Sequence, residues 1–316
     1  MTSVWVEQSI RDSVVESVGR WRLLSGLPDI WFRTRIGISA PRMMDWRRRY
    51  KVPNMPAANL PKGHWLSDSE RARIVSFYLE HPGEGYRRCA HMMVDKNVVI
   101  ASPATVYRVL RKAGVISSSK VRPSRKGDGF SQPGKPHEHW HTDITYIKVG
   151  KRFYYLVCVL DGYSRYIINW GLCESMEDKD VAIVQQRAVE KFPGEKTRYI
   201  TDNGGQFAGR EFRKFITFHG LTHARTSPNY PQSNGKIERF HGSIKTECIR
   251  RKALTDKEHA ESVIGSYIDY YNKRRLHSAI GYVAPADKLS GRDVAIKAER
   301  AAKLKAAAAE RKRLGA

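Results

Sequence analysis

The chain has only four cysteines in 316 residues, and Cys89, Cys158, Cys173 and Cys248 form no CxxC pair. That spacing excludes a zinc module and a disulfide framework, and it fits a reducing compartment. No apolar run approaches the roughly 20 residues of a membrane span. The opening MTSVWVEQSIRDSVVESVGR carries acids without a sustained apolar stretch, so it reads as neither signal peptide nor anchor. A cytoplasmic address with no membrane partner is the expectation. No repeat recurs at a fixed period, which excludes solenoids and propellers. Negative charge is also scarce: 32 acids face 56 Lys and Arg, a net charge of +24. Such a field attracts polyanions, above all a phosphate backbone with its condensed counterions. Hydrophobic residues make up 41 %, enough for real cores, and the length predicts two or three domains.

Residues 1–60 read as an N-terminal helical domain, with Val14, Val18, Trp21 and Leu24 at helix spacing. Gly37 supplies a sharp turn and Ser39 an N-cap. Two short helices joined there, the second ending in Arg47, Arg48 and Arg49, match a helix-turn-helix, and a helical hairpin with a solvated basic end matches equally well. Residues 61–116 read as a second, helix-turn-helix domain. Ser67 and Glu70 form a capping box, HPGEG breaks the first helix, and a second covers Tyr86 to Asp95. A third is opened by Ser102 and Pro103 and closed by Gly114. It carries Arg108, Arg111 and Lys112 along its length, with Val106, Val109 and Leu110 facing inward. It is therefore a better recognition-helix candidate than the first unit, alongside a purely structural three-helix reading. Residues 117–138 (SSSKVRPSRKGDGFSQPGKPHE) hold little that can be buried and read as a basic linker.

Residues 139–250 alternate strands and helices. HEHWHTDITYIKV, KRFYYLVCVLD and YIINWGLCES predict an antiparallel meander. A helix near 177–192, a strand at TRYITD, a helix near 209–219, a short strand at LTHARTS and a helix from about Ser233 follow. The fold class is thus multi-domain: an α/β core, a mixed sheet flanked by helices, preceded by all-α units. Residues 251–316 read as a C-terminal helical region, ending in an Ala-, Lys- and Arg-rich stretch that is either a packed helix or a frayed basic tail.

Three acids stand at telling places in the core. Asp143 lies within the first strand, Asp202 ends the fourth just before Asn-Gly-Gly, and Glu238 opens the helix that follows, 35 residues (203–237) further on. Singly, each has an ordinary reading as strand-end residue, turn former or helix-dipole complement. Together they suit phosphodiester chemistry, in which two Mg²⁺ ions about 4 Å apart stabilise the attacking and leaving oxygens. Hard carboxylate oxygens hold such ions, and the ions relieve the carboxylates' mutual repulsion. Asp161, in DGYSR, reads as a turn residue that bonds locally or pairs with Arg165. Three and seven residues beyond Glu238, His241 and Lys245 share its face and could contact DNA phosphate. Asn234 joins the DNA-contact candidates.

At these residues the sequence resembles the integrase-core transposases of the insertion-sequence-3 family, relatives of retroviral integrases. The matching pieces are HWHTDITYI, LDGYSRYIINW, TDNGGQF, SPNYPQSNGKIERFHGSIKTE and YYNKRRLHSAIGYVAP. GEGYRRCAHMM and SPATVYRVLRKAGV are similar to the helix-turn-helix that precedes that core. The resemblance implies a ribonuclease-H-like fold with metal ligands Asp143, Asp202 and Glu238, and a DNA-contacting base at Lys245. It implies Mg²⁺ or Mn²⁺, 3′-end nicking and strand transfer. It also implies an oligomer working on paired element ends in a bacterial, nucleoid-associated setting, and a companion reading-frame product joined by frameshifting. Residues 1–60 match the family only loosely, and no retroviral His/Cys zinc module is present. Two other classes remain open at this point: a DNA-binding protein with a silent core, which an intact acidic triad argues against, and a plain nuclease, which the helical units and basic tail argue against.

Overall fold

The structure, a computed structural model, describes residues 6–53, 65–117, 132–225 and 234–314. The chain divides into two compact units, residues 1–65 with 309–316, and residues 66–308.

In the first unit, helices α1 (Gln8–Ser25), α2 (Asp29–Ile36) and α3 (Ala40–Arg48) close on Val18, Met43 and Trp46. Gly37, in the left-handed region, ends α2, and Ser39 begins α3 without a side-chain capping bond. The helical stripe predicted on α1 is only half used: Val18 is buried, whereas Trp21 and Leu24 are 52 % and 71 % exposed. The two short helices α2 and α3 leave the last turns of the 18-residue α1 uncovered. The buried Arg11 guanidinium donates to Val52 O at 2.7 Å and pairs with Asp12.

The second unit begins with α4 (Asp68–Glu80), α5 (Tyr86–Asp95) and α6 (Pro103–Lys112). The capping box at Ser67 and Glu70 and the Ser102 cap with Pro103 behind it form as the sequence predicts. Ile74, Phe77, Met93, Val106 and Leu110 make the core of this part, with Val109 only partly buried.

Five strands follow: β1 (His139–Val149), β2 (Arg152–Asp161), β3 (Ile167–Cys173), β4 (Arg198–Thr201) and β5 (Thr222–Arg225). Their order is β3-β2-β1-β4-β5, with β1, β2 and β3 an antiparallel meander and β4 and β5 parallel to β1. This mixed arrangement is the ribonuclease-H-like sheet, and the predicted meander is present. Its two faces carry different helices. Trp140, Val157 and Val159 pack with α7 (Asp178–Lys191) and α9 (Arg210–Phe218), the latter following the one-turn α8 (Gly205–Ala208). Ile147, Val149, Leu156 and Cys158 pack with α10 (Gly235–Glu247) and α11 (Lys257–Lys273). Side chains alternate between faces along a strand, so Asp143, in register with Cys158, shares the α10 face.

The end of the predicted linker is packed rather than free. Pro133 and His137 are buried, the His137 N–H donates to Asp161 Oδ1 at 2.9 Å, and its carbonyl accepts from Thr197 Oγ1 at 2.7 Å. Most of that segment, 118–131, lies outside the described residues, as does Ser233. After α12 (Pro285–Leu289), the Ala- and Lys-rich end forms α13 (Asp293–Leu314). Arg300 on α13 is buried, donates to Asp95 through two nitrogens at 2.7 and 2.6 Å, and reaches Tyr282 O at 2.8 Å. Of the two readings of this end, the packed helix is the one that forms at Arg300.

Candidate active site

The position of Glu238 follows from the packing of α10. Ile237, Phe240, His241 and Ile244 form its buried stripe. Glu238 stands beside that stripe in the first turn, exposed as a residue, and its carboxyl lies close enough to Asp143 and Asp202 to feel both charges. Asp143 is held from two sides: Oδ1 accepts the Ile144 N–H at 2.8 Å, and Oδ2 lies 3.4 Å from His241 Nδ1. One residue past β4, Asp202 accepts the Gly204 N–H on Oδ1 at 3.0 Å, an Asx-type turn that fixes the carboxylate as the chain leaves the sheet. The parallel pairing of β4 with β1 sets Asp202 and Asp143 on neighbouring strands.

The electrostatics carry the mark of crowded negative charge. Partial burial, then the charges of Asp143 and Asp202, raise the Glu238 carboxyl above its ordinary pKa, against the opposing pull of His241 and Arg239. Among the described residues no three His, Cys, Asp or Glu side chains already enclose a metal-sized point. The donor set nonetheless suits a hard divalent cation, since all three groups are carboxylates and like charge bears on Glu238. His241 Nε2, buried nearby, has no hydrogen-bond partner.

The sequence candidates around the acids fare differently. His241 is 6 % exposed and faces Asp143, and Asn234 is 3 % exposed with its amide 3.5 Å from Thr142 O. Neither presents a free surface to a duplex; their burial points to supporting the site instead. Lys245 lies two turns beyond Glu238, half-buried and without an ion pair among the described residues. Arg108, Arg111 and Lys112 are exposed on α6, where Arg108 also bonds Ala104 O and Thr105 Oγ1. Arg47 pairs with Asp29, and Arg48 with Asp45 at 2.6 Å.

Two integrase core domain models match residues 133–231 and 219–285. A protein of insertion element IS407 from Burkholderia multivorans, described as an uncharacterized 31.7 kDa protein, is 30 % identical over 225 residues, covering 68 % of this chain and 79 % of the relative. The chain belongs to the insertion-sequence-3 family of integrase-core transposases. Transposase InsF for insertion sequence IS3A of Escherichia coli K12 is 28 % identical over 152 residues, 48 % of this chain and 53 % of that one. A solved structure, the HTLV-2 integrase catalytic core domain in complex with magnesium, aligns at 20 % identity and a TM-score of 0.40, covering 49 % of this chain and 97 % of that chain.

One feature of the transposase escaped sequence reasoning. Asp161 does bond locally, its carboxylate accepting from His137 N, Ser164 N and Ser164 Oγ and not from the Arg165 guanidinium. The DGYSR turn instead brings Arg165 beside Lys236 and Arg239 of α10. Lys236 Nζ donates to Gly162 O at 2.9 Å, and burial with the charge of Arg165 lowers its pKa to about 7. Beneath it, burial and the charges of Lys236 and Arg165 bring His141 down to about 3, so it is neutral. A Cβ on Gly162 would stand 2.9 Å from His141 Nε2 and 3.1 Å from His139 O, so only glycine fits there. A cluster of basic side chains at 165, 236 and 239, over a neutral histidine at 141, leaves no periodic trace in sequence.

Proposed function

We propose that this transposase nicks the 3′ ends of its element and joins them to target DNA, with divalent metal ions held by Asp143, Asp202 and Glu238. The observation that supports this reading is that, beyond the effect of partial burial, the charges of both Asp143 and Asp202 raise the Glu238 carboxyl, so the three acids stand within electrostatic reach of one another. When bound, Mg²⁺ or Mn²⁺, as a pair of ions, stabilises charge on the attacking and leaving oxygens and lowers the pKa of the attacking water or 3′-hydroxyl. The protein's own part is to present and orient oxygens. Asp143 keeps its direction through Ile144 N and His241, and Asp202 through Gly204 N. Glu238 rides on a helix wedged against the sheet by Ile237, Phe240 and Ile244. Fixed donors of this kind need no reorganisation when the reaction begins.

The substrate in this reading is double-stranded DNA, both element ends and target, engaged by a homo-oligomer that pairs the ends, with or without a companion reading-frame product. Lys245 lies two turns beyond Glu238 on α10, and Arg108, Arg111 and Lys112 line an exposed helix suited to phosphate or groove contact.

A metal titration tests the carboxylate assignment apart from catalysis. Millimolar Mg²⁺ or Mn²⁺ should raise the melting temperature of the wild-type protein by about 3 °C or more, and chelator should reverse it. Glu238→Gln should remove most of that rise. A wild-type melting curve indifferent to metal, or an undiminished rise in the variant, would count against the assignment.

A further inference from the structure

Arg165 is the anomaly of this molecule. Its Nε and Nη1 are sealed from solvent with no hydrogen-bond partner, leaving Nη2 as the nitrogen that still meets the surface. Arg165 as a whole is half-buried, and the fully buried arginines behave differently: Arg275 is bidentate to Glu247, Arg300 is bidentate to Asp95, and Arg11 pairs with Asp12. Asp161, the acid nearest in sequence, is already taken up by His137 and Ser164. The remaining groups that bear on Arg165 are Arg239, Lys236 and His277, together with the phenol of Tyr271. His277 is held neutral by burial and by Arg275, Arg165, Arg88 and Arg239, with its pKa down to about 4, so it offers no counter-charge.

The backbone pins this unpaired cation in place. Arg165 sits at φ 68°, a left-handed conformation that a non-glycine residue adopts only at an energetic cost. The turn is locked there by Arg165 N to Asp161 O at 2.9 Å and Tyr166 N to Ser164 Oγ at 3.2 Å. A half-buried guanidinium with two sealed, unbonded nitrogens, like-charged neighbours and a strained turn all oppose stability, with only the charge of Asp161 set against them, and an anion would relieve that balance. A phosphodiester oxygen accepts a charge-assisted hydrogen bond from a guanidinium nitrogen, and Nη2 is the donor that an arriving strand would meet.

We propose that Arg165, flanked by Lys236 and Arg239, seats one backbone phosphate of the DNA strand that enters over the first turn of α10. Lys236 and Arg239 bracket Glu238 in sequence, so a phosphate held there positions the strand next to the acidic residues. The inference rests on the reading of DNA as substrate. Arg165 is a positioning residue, acting through the strand it holds.

The test is equilibrium binding of the full chain to duplex DNA bearing an element end, without divalent metal, across a range of salt. For Arg165→Gln, affinity should fall about tenfold, and the slope of log K against log salt should become shallower by about 0.9, the signature of one lost phosphate contact. Arg165→Lys should restore the slope but not the full affinity. The DNA-free Arg165→Gln protein should melt at or above the wild-type temperature, because a cation without a partner has been removed. Neutral methylphosphonates placed one at a time along each strand should reveal one position that weakens wild type but adds little to the Arg165→Gln loss. Unchanged affinity and slope would overturn the seat, as would a lower melting temperature with no such position, which would make Arg165 structural. Wild-type protein that binds no DNA would overturn the DNA reading itself, and the seat with it.

Discussion

Asp202→Asn should abolish cutting and joining of element-end DNA, lowering the rate by about 10³-fold or more, since a metal site supplies several kcal/mol of transition-state stabilisation. The substitution is chosen to spare the fold. An asparagine oxygen can still accept the Gly204 N–H that Asp202 Oδ1 accepts at 3.0 Å, so the turn after β4 survives. What is lost is one negative charge facing Asp143 and Glu238. Without metal, that loss should leave the melting temperature unchanged or raise it, because Glu238 is freed from part of the repulsion that raises its pKa. Gel assays for nicked and joined products, run beside thermal melts, separate the two effects. Equal product from the variant would remove Asp202 from the reaction, and a collapse in melting temperature would make its role structural.

Glu247→Ala should cost about 3 kcal/mol of stability, because it strands a buried cation. Glu247 ends α10 and accepts two bonds from Arg275, at 2.8 and 2.5 Å, and one from Tyr267 at 2.8 Å. The Arg275 side chain is 8 % exposed and its partner 26 %, so screening by solvent is modest. In a unit of this size the loss corresponds to a melting temperature lower by about 6–12 °C. These bonds tie α10, the helix that carries Glu238, to α11 and the segment behind it, so a looser site and slower turnover should accompany the loss. A pH dependence follows. Burial alone would raise the Glu247 carboxyl, but the hydrogen bonds and charge of Arg275, with Tyr267, outweigh it and hold the pKa below the usual range. The pair's contribution is therefore complete above about pH 4.3, the unperturbed value, and is lost as pH falls through the depressed folded pKa. Melts between pH 7 and pH 3 should show the wild-type advantage over Glu247→Ala shrinking at the acid end. A constant advantage would mean that the charge on Glu247 contributes nothing.

Much of the fold was legible because local chemistry and periodicity agreed. Ser67 with Glu70, and Ser102 with Pro103, marked helix starts that the structure reproduces, and the β-branched runs gave the meander with Asp143 on its first strand. The two all-α segments and the mixed sheet were readable for the same reason. What failed were questions of burial that only tertiary packing answers. The α1 pattern announced an apolar face, but nothing in it says whether a partner is long enough to cover Trp21 and Leu24. His241 was readable in principle: it lies four residues after Ile237 and three before Ile244, within the apolar stripe rather than on the Glu238 face. Arg165 was not, since four residues after Asp161 it looks like that acid's partner until the carboxyl is seen bonded to His137 and Ser164. The three acids could be singled out by their elements, but their approach depends on β4 running parallel to β1 and α10 crossing the same face.

The most direct measurement is anomalous diffraction from crystals of the full chain with element-end DNA and Mn²⁺. Two anomalous peaks about 4 Å apart, in contact with Asp143, Asp202 and Glu238, are the predicted result. Ordered DNA with no anomalous density at these carboxylates, or with Mn²⁺ held by other side chains, would contradict it.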